Sequence, residues 1–252
     1  MKGLWMSNIK RAFFSKWYFI AIIGTVIMSY ISSQDYMKND GNPVCVIELM
    51  INLGMFKKIV VFFSSIPFIT VFCQDYNSGY INSILSRTKK NHYILSNLMI
   101  CVLSGFTSVF SGLILFYGVI SVKIPPQAYE TPGVYSNLSL GNPLLYVLVF
   151  TSIFSLYATM WTAFGLALSS IIPDKYIALG SPLILGYLLE EITCKFPSCF
   201  NLYHLSHPGI KVFGNTAVSN YFYTIIVFIF GIVVSGYIFS YFVKRRIRNE
   251  IF

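Results

Sequence analysis

Four side chains able to ligate a soft metal lie in one short run, Cys194-x4-Cys199-x4-His204-x2-His207. Thiolate and imidazole are zinc ligands, but this spacing matches no standard structural zinc site, so no metal is expected. A disulfide between Cys194 and Cys199 is the simpler reading if the run faces an oxidising compartment. Just upstream, Glu190 and Glu191 are read as the polar end of an apolar span. The chain contains no G-x-x-x-x-G-K-[ST], no H-E-x-x-H and no G-x-S-x-G, so no phosphate loop, zinc-peptidase helix or nucleophile elbow supplies a catalytic centre. No catalytic residue and no cofactor are assigned to this chain.

A second constellation runs from Asp75 to Tyr93. Asp75 and Ser78 are placed to cap a short helix in which Tyr80, Ile81, Ile84 and Leu85 share one face. Gly79 permits a tight path into it, and Arg87, Lys89 and Lys90 suit a helix C-terminus. An apolar face followed at once by three cations cannot sink into lipid, so it is expected at a membrane surface or in a partner's groove. The N-terminal arm repeats the pattern. Trp5, Ile9 and Phe13 recur at four-residue spacing, with Lys2, Lys10, Arg11 and Lys16 on the polar side.

The elements that must position these segments follow from composition. Of 252 residues, 56% are apolar, 17% aromatic and only 11% charged, against about 25% charged in soluble domains. Mean hydropathy is +0.67. Such a chain cannot cover itself with a polar skin, so lipid must solvate much of it. Apolar runs predict six spans at about 17–32, 59–73, 93–121, 143–172, 176–192 and 220–243, after an interfacial helix at about 3–16. Residues 1–252 thus read as a single transmembrane domain of an all-α membrane protein, its polar connections too short for a separate soluble engine.

Net charge is +9, from 18 basic and 9 acidic residues. Twelve of the cations (Lys2, Lys10, Arg11, Lys16, Arg87, Lys89, Lys90, Lys175, Lys244, Arg245, Arg246 and Arg248) belong to one set of connections, and Lys38, Lys57, Lys58, Lys123, Lys195 and Lys211 to the other. The richer set is expected in the cytoplasm, with both termini inside a multi-pass cell-membrane protein. Lys57 and Lys58 fall on the poorer side, where snorkelling to the interface is the plain reading. Because the cations flank apolar runs, nucleic acid is not an expected partner. Ionisable residues within the spans are nearly absent, which counts against ion-coupled transport.

The layout resembles the permease subunit of type-2 ABC exporters, especially the small permeases of antimicrobial-peptide (bacteriocin) immunity and export. The resemblance rests on Asp75, Gly79, Ile84, Leu85, Ser86, Arg87 and Tyr93, in the order in which that family has acidic-x-x-x-Gly, an apolar helix, Ser-Arg and Tyr before span three. Asp75 stands where the family more often has Glu. The resemblance implies that Asp75, Gly79, Tyr80, Ile81, Ile84, Leu85 and Arg87 form a coupling helix against a separate ATP-binding cassette ATPase, which carries ATP and Mg. It implies that Trp5, Ile9 and Phe13 lie on an elbow helix at the inner membrane interface, against membrane lipid and touching the ATPase. It further implies a second permease chain, identical or not, and export of a peptide-like or amphipathic substrate. Two other readings stand beside it. Glu190-Glu191-x3-Lys195 with Phe200-x3-His204 faintly resembles the intramembrane CAAX-type proteases, a hydrolase reading weakened by Lys195 in place of Arg and by the closeness of the two motifs. The third is a non-transporting immunity or sensor protein.

Overall fold

The computed structural model describes residues 2–39, 42–52, 54–127, 133–207 and 210–250; within these, the side chains of Lys2, Asp35, Lys38, Asn39, Asn249 and Glu250 lie outside the description. The topological roles of Lys2 and Lys38 are therefore not located. The described chain is all-helical, with α1 at Lys2–Phe13, α2 at Lys16–Asn39, α3 at Pro43–Asn52, α4 at Gly54–Ser65, α5 at Val71–Asn77 and α6 at Tyr80–Leu85. It continues with α7 at Lys90–Lys123, α8 at Ser136–Gly141, α9 at Pro143–Ile171, α10 at Lys175–Thr193, α11 at Leu202–Ser206 and α12 at Ala217–Glu250.

Among the described residues, four stretches are long and apolar enough to cross a membrane: Lys16–Gln34, Lys90–Lys123, Pro143–Ile171 and Ala217–Arg248. They coincide with the first, third, fourth and sixth expected spans. The second expected span is two helices, α4 and α5, joined by a turn. Pro67 explains the break: it has no N–H to donate and its ring crowds the preceding turn. The chain passes it with tight bonds, Ile66 N–H to Phe63 O at 3.3 Å and Val71 N–H to Phe68 O at 3.1 Å. The fifth expected span is α10, a continuous 19-residue helix with Pro182 inside it and two glutamates in its last turn.

Helix α9 is the hub, packed by α12, α7, α10 and α4. Asn142 caps its start by accepting from Leu145 N–H at 3.4 Å, with Pro143 in the first turn. Its inner surface alternates aromatics with small hydroxylated residues. Trp161, Tyr157, Phe154 and Phe150 are buried, as are Ser155, Thr159 and Thr162. The hydroxyls satisfy themselves on the preceding turn, Thr159 Oγ1 donating to Ser155 O at 2.6 Å, and Thr162 also meets Ser64 of α4 at 2.8 Å. Small residues let helices approach closely where lipid offers no hydrophobic drive. By contrast α2 and α12 turn large apolar side chains outward, among them Ile23, Ile31, Phe230 and Val233. These faces suit acyl chains as solvent.

A close approach of three segments is at Gly165 of α9. A Cβ there would lie 2.5 Å from Ile69 Cδ1 and 2.7 Å from Pro182 Cγ. The isoleucine tip can swing away, but the proline ring cannot. Gly165→Ala is expected to push α10 off α9 and to lower thermal stability in detergent by about 1–3 kcal/mol. An unchanged melting temperature would mean that this contact relaxes freely.

Candidate functional site

The segment singled out by sequence is organised around one carboxylate. Asp75 sits in α5 with only 2% of its side chain exposed. Arg11 Nη2 of α1 donates to its Oδ1 at 2.8 Å, and the Tyr93 hydroxyl of α7 donates to its Oδ2 at 3.1 Å. Each oxygen thus has a partner, as a buried carboxylate requires. Alongside, Asn8 Nδ2 donates to Ser96 Oγ at 3.1 Å and to Asn97 Oδ1 at 3.0 Å. Together these contacts fasten α1 to α5 and α7.

Asp75 therefore does not cap α6, contrary to the sequence expectation. Its charge is consumed by Arg11 and Tyr93. Ser78 does not cap it either; it closes α5, its hydroxyl donating to Gln74 O at 2.7 Å. The residue before α6 is Gly79, in the left-handed region at φ 69° with no side-chain cap. This is the conformation that glycine reaches without the Cβ clash.

The apolar face of α6 is also resolved differently from expectation. Ile81 and Ile84 are buried, and Leu85 partly so, in a cluster with Ala12, Phe72, Tyr93 and Ile247 of the same chain. Trp5, Ile9 and Phe13 of α1 also pack, partly buried, onto that cluster. Of the four predicted face residues, Tyr80 alone is open, at 50% exposed. Arg87 and Ser83 are exposed beside it. The outward side of α6 is polar and aromatic, while its apolar side is internal.

Arg246 of α12, counted in the sequence only as one basic residue, is a second clamp on α5. Its Nη1 donates to the Tyr76 hydroxyl at 3.0 Å and its Nε to Ser170 O at 2.7 Å, and Nη2 reaches Ile171 O. A guanidinium here neutralises the unpaired carbonyls at the C-terminus of α9. Asn77 adds a bond to Pro173 O at 3.1 Å.

A second polar centre was missed by the sequence reading. Lys57 of α4 does not snorkel. It is 2% exposed and forms an ion pair with Glu190 of α10. The Tyr157 hydroxyl donates to the same carboxylate at 2.8 Å, and Lys57 also donates to Ser206 Oγ of α11. Its ammonium lies 4.5 Å from the Tyr157 ring centre and 5.2 Å from that of Tyr203. Glu190 is thus not a plain interfacial terminus but the counter-ion of a buried cation. Its partner is 133 residues away in sequence, so no local pattern points to it.

The Cys/His run does not converge. Cys194 and Cys199 are free thiols, which corrects the disulfide expectation. Cys199 Sγ is turned to Val212 O at 3.3 Å, and Cys194 is the exposed C-cap of α10. Among the described residues no group of three or more His, Cys, Asp or Glu is gathered as metal ligands would be. His207 instead packs on Tyr203, ring centres 4.1 Å apart, with Nδ1–H donating to Tyr203 O at 2.9 Å. Burial, reinforced by the nearby Lys57 charge, pushes its pKa down to about 4. Comparison with family profiles, with curated proteins and with solved structures finds no match.

Two predictions follow from these centres. Arg11→Ala would leave the Asp75 carboxylate buried with Tyr93 alone. Because Arg11 is 31% exposed and water can enter, the expected loss is about 2 kcal/mol, less than for a fully buried pair. Thermal unfolding of the purified chain reads it, and Arg11→Lys should recover part. For His207, the folded pKa lies below the ordinary value of 6.5. The unfolded chain therefore takes up the proton first, so stability falls as pH drops from about 6.5 to about 4 and is unaffected by this group above that window. Lys57, Glu190, His204 and Tyr203 face the ring. The expected loss is about 2–3 kcal/mol. A His207→Gln variant should show a flatter stability profile between those pH values; an identical profile would refute the assignment.

Proposed function

We propose that this chain is the permease subunit of an ATP-driven exporter of the type-2 ABC class, working with a separate ATP-binding cassette ATPase. In this reading the chain crosses the cell membrane six times. The four long helices are joined by the α4–α5 pair and by α10 as shorter crossings, and α1 serves as the elbow at the inner interface. Both termini are cytoplasmic, as the twelve-to-six distribution of basic residues supports. A second permease chain completes the path for a peptide-like or amphipathic substrate, and ATP and Mg bind the ATPase.

The observation that carries this reading is the mounting of α6. A helix of six residues has no independent stability in water, yet this one is held by its apolar side to a cluster that includes α1, α5, α7 and α12. Its opposite side offers Tyr80, Ser83 and Arg87 outward. A projection so fixed can receive a push from a soluble partner and pass it to the membrane helices without bending. Tyrosine and arginine are the side chains that most often anchor protein interfaces. ATP binding in the partner would then shift the permease between two states by contacting them unequally. The hydrolase alternative is weakened because Glu190, the first residue of its motif, is engaged by Lys57 and Tyr157.

Two variants separate docking from folding. Tyr80→Asp alters an exposed position and should leave the permease inserted and thermally normal. It should reduce ATPase co-purification from the native host, and substrate-stimulated hydrolysis, about tenfold or more. Ile84→Asp buries a carboxylate in the internal cluster and should instead lower the thermal stability of the permease itself. Wild-type partner binding and stimulation with Tyr80→Asp would remove the coupling reading.

A further inference from the structure

We infer that the junction of α1, α2 and the α4–α5 turn is a binding site for the headgroup of an anionic glycerophospholipid. A cavity of about 460 Å³ opens there. Lys10, Arg11, Ser15, Thr70 and Gln74 line its polar side, and Phe14, Trp17 and Ile66 its apolar side. The combination is specific in kind. Two cations with hydroxyl and amide donors fit a phosphate diester, and the adjoining aromatic and aliphatic surface fits the start of acyl chains.

Position and charge select the lipid over other anions. The membrane-crossing stretch of α2 begins at Lys16, so the cavity lies where the span meets the interface. Phe14 is 78% and Trp17 52% exposed, as aromatics are at the level of lipid headgroups. Only two ion pairs form among the described residues, Arg11–Asp75 and Lys57–Glu190, so no carboxylate there pairs with Lys10. Arg11 gives one guanidinium nitrogen to Asp75 and has further donors to offer. Asp75 itself is buried and does not line the cavity. The site is independent of any ATPase.

Native mass spectrometry of the purified chain, titrated with phosphatidylglycerol or with phosphatidylcholine of the same acyl chains, tests this. The wild-type chain should prefer phosphatidylglycerol, and glycerol phosphate at equal concentration should not displace it. Lys10→Gln with Gln74→Leu, both exposed positions, should weaken the preference about fivefold, and Lys10→Arg should keep it. Lys244→Gln, the same charge loss on exposed α12, should change it by less than about twofold. The inference is overturned if the double variant matches wild type, if Lys244→Gln loses as much, or if glycerol phosphate displaces the lipid.

Discussion

The fold depends on a carboxylate that cannot be left alone. Asp75 lies in a bundle short of acidic residues, where an unpaired charge would cost several kcal/mol. The pairing that resolves this also decides the architecture. Arg11 must come from α1 and Tyr93 from α7, so three elements are drawn onto one turn of α5. The next residue, Tyr76, receives Arg246 from α12, whose guanidinium also closes the end of α9. Packing alone sets no unique register between greasy helices. Directional, charge-assisted bonds do, and at this end of the bundle they converge on two consecutive residues.

The second ion pair works by the same physics at the far end of α10. Asn77 touches Pro173 just before that helix begins, and Lys57 reaches Glu190 near its last turn. Fifteen residues of helix from Lys175 to Glu190 separate these points by about 22 Å. Between them the bundle is held by edge-to-face aromatic contact, by the close approach at Gly165, by hydroxyls mostly bonded back to their own helices and by the single Ser64–Thr162 bond between α4 and α9, with no ion pair among the described residues. The molecule is fastened at both ends and close-packed in the middle. Lys57 tolerates burial because two tyrosine ring faces and a serine hydroxyl supplement its counter-ion.

What the sequence made legible was whatever is written locally. The spans at 93–121, 143–172 and 220–243 match α7, α9 and α12 because long apolar runs leave a membrane helix little alternative. Helix α12 outruns its apolar stretch because Lys244 to Arg248 are good helix formers that continue it past the lipid. The face formed by Ile81, Ile84 and Leu85 was readable from its spacing, but what covers that face was not. Periodicity states that a side must be buried, never against what. Long-range polar pairing was invisible for a similar reason. Arg11 and Asp75 are 64 residues apart and Lys57 and Glu190 are 133 apart, and a list of charges does not say which will meet. The nearness of Cys194 to Cys199 in sequence misled in the opposite direction, since helix termination and the contact with Val212 direct the two thiols separately.

In the exporter proposed above, the same clamps would limit movement. A push on α6 cannot be absorbed by bending at Gly79 alone, because Ile81 and Ile84 are embedded in a cluster shared with α1, α5, α7 and α12. Arg11 and Arg246 hold α5 from opposite partners, so rotating it independently would break a buried ion pair and uncover the carbonyls that end α9. Displacing those elements together is cheaper than parting them. The natural slip surface is then between this group and neighbours joined only by apolar contact. The α2 and α12 faces qualify, since their exposed side chains can slide against lipid or a second chain without losing hydrogen bonds. In a permease this favours tilting of whole helices over local unwinding, with the ion pairs acting as the rigid joints.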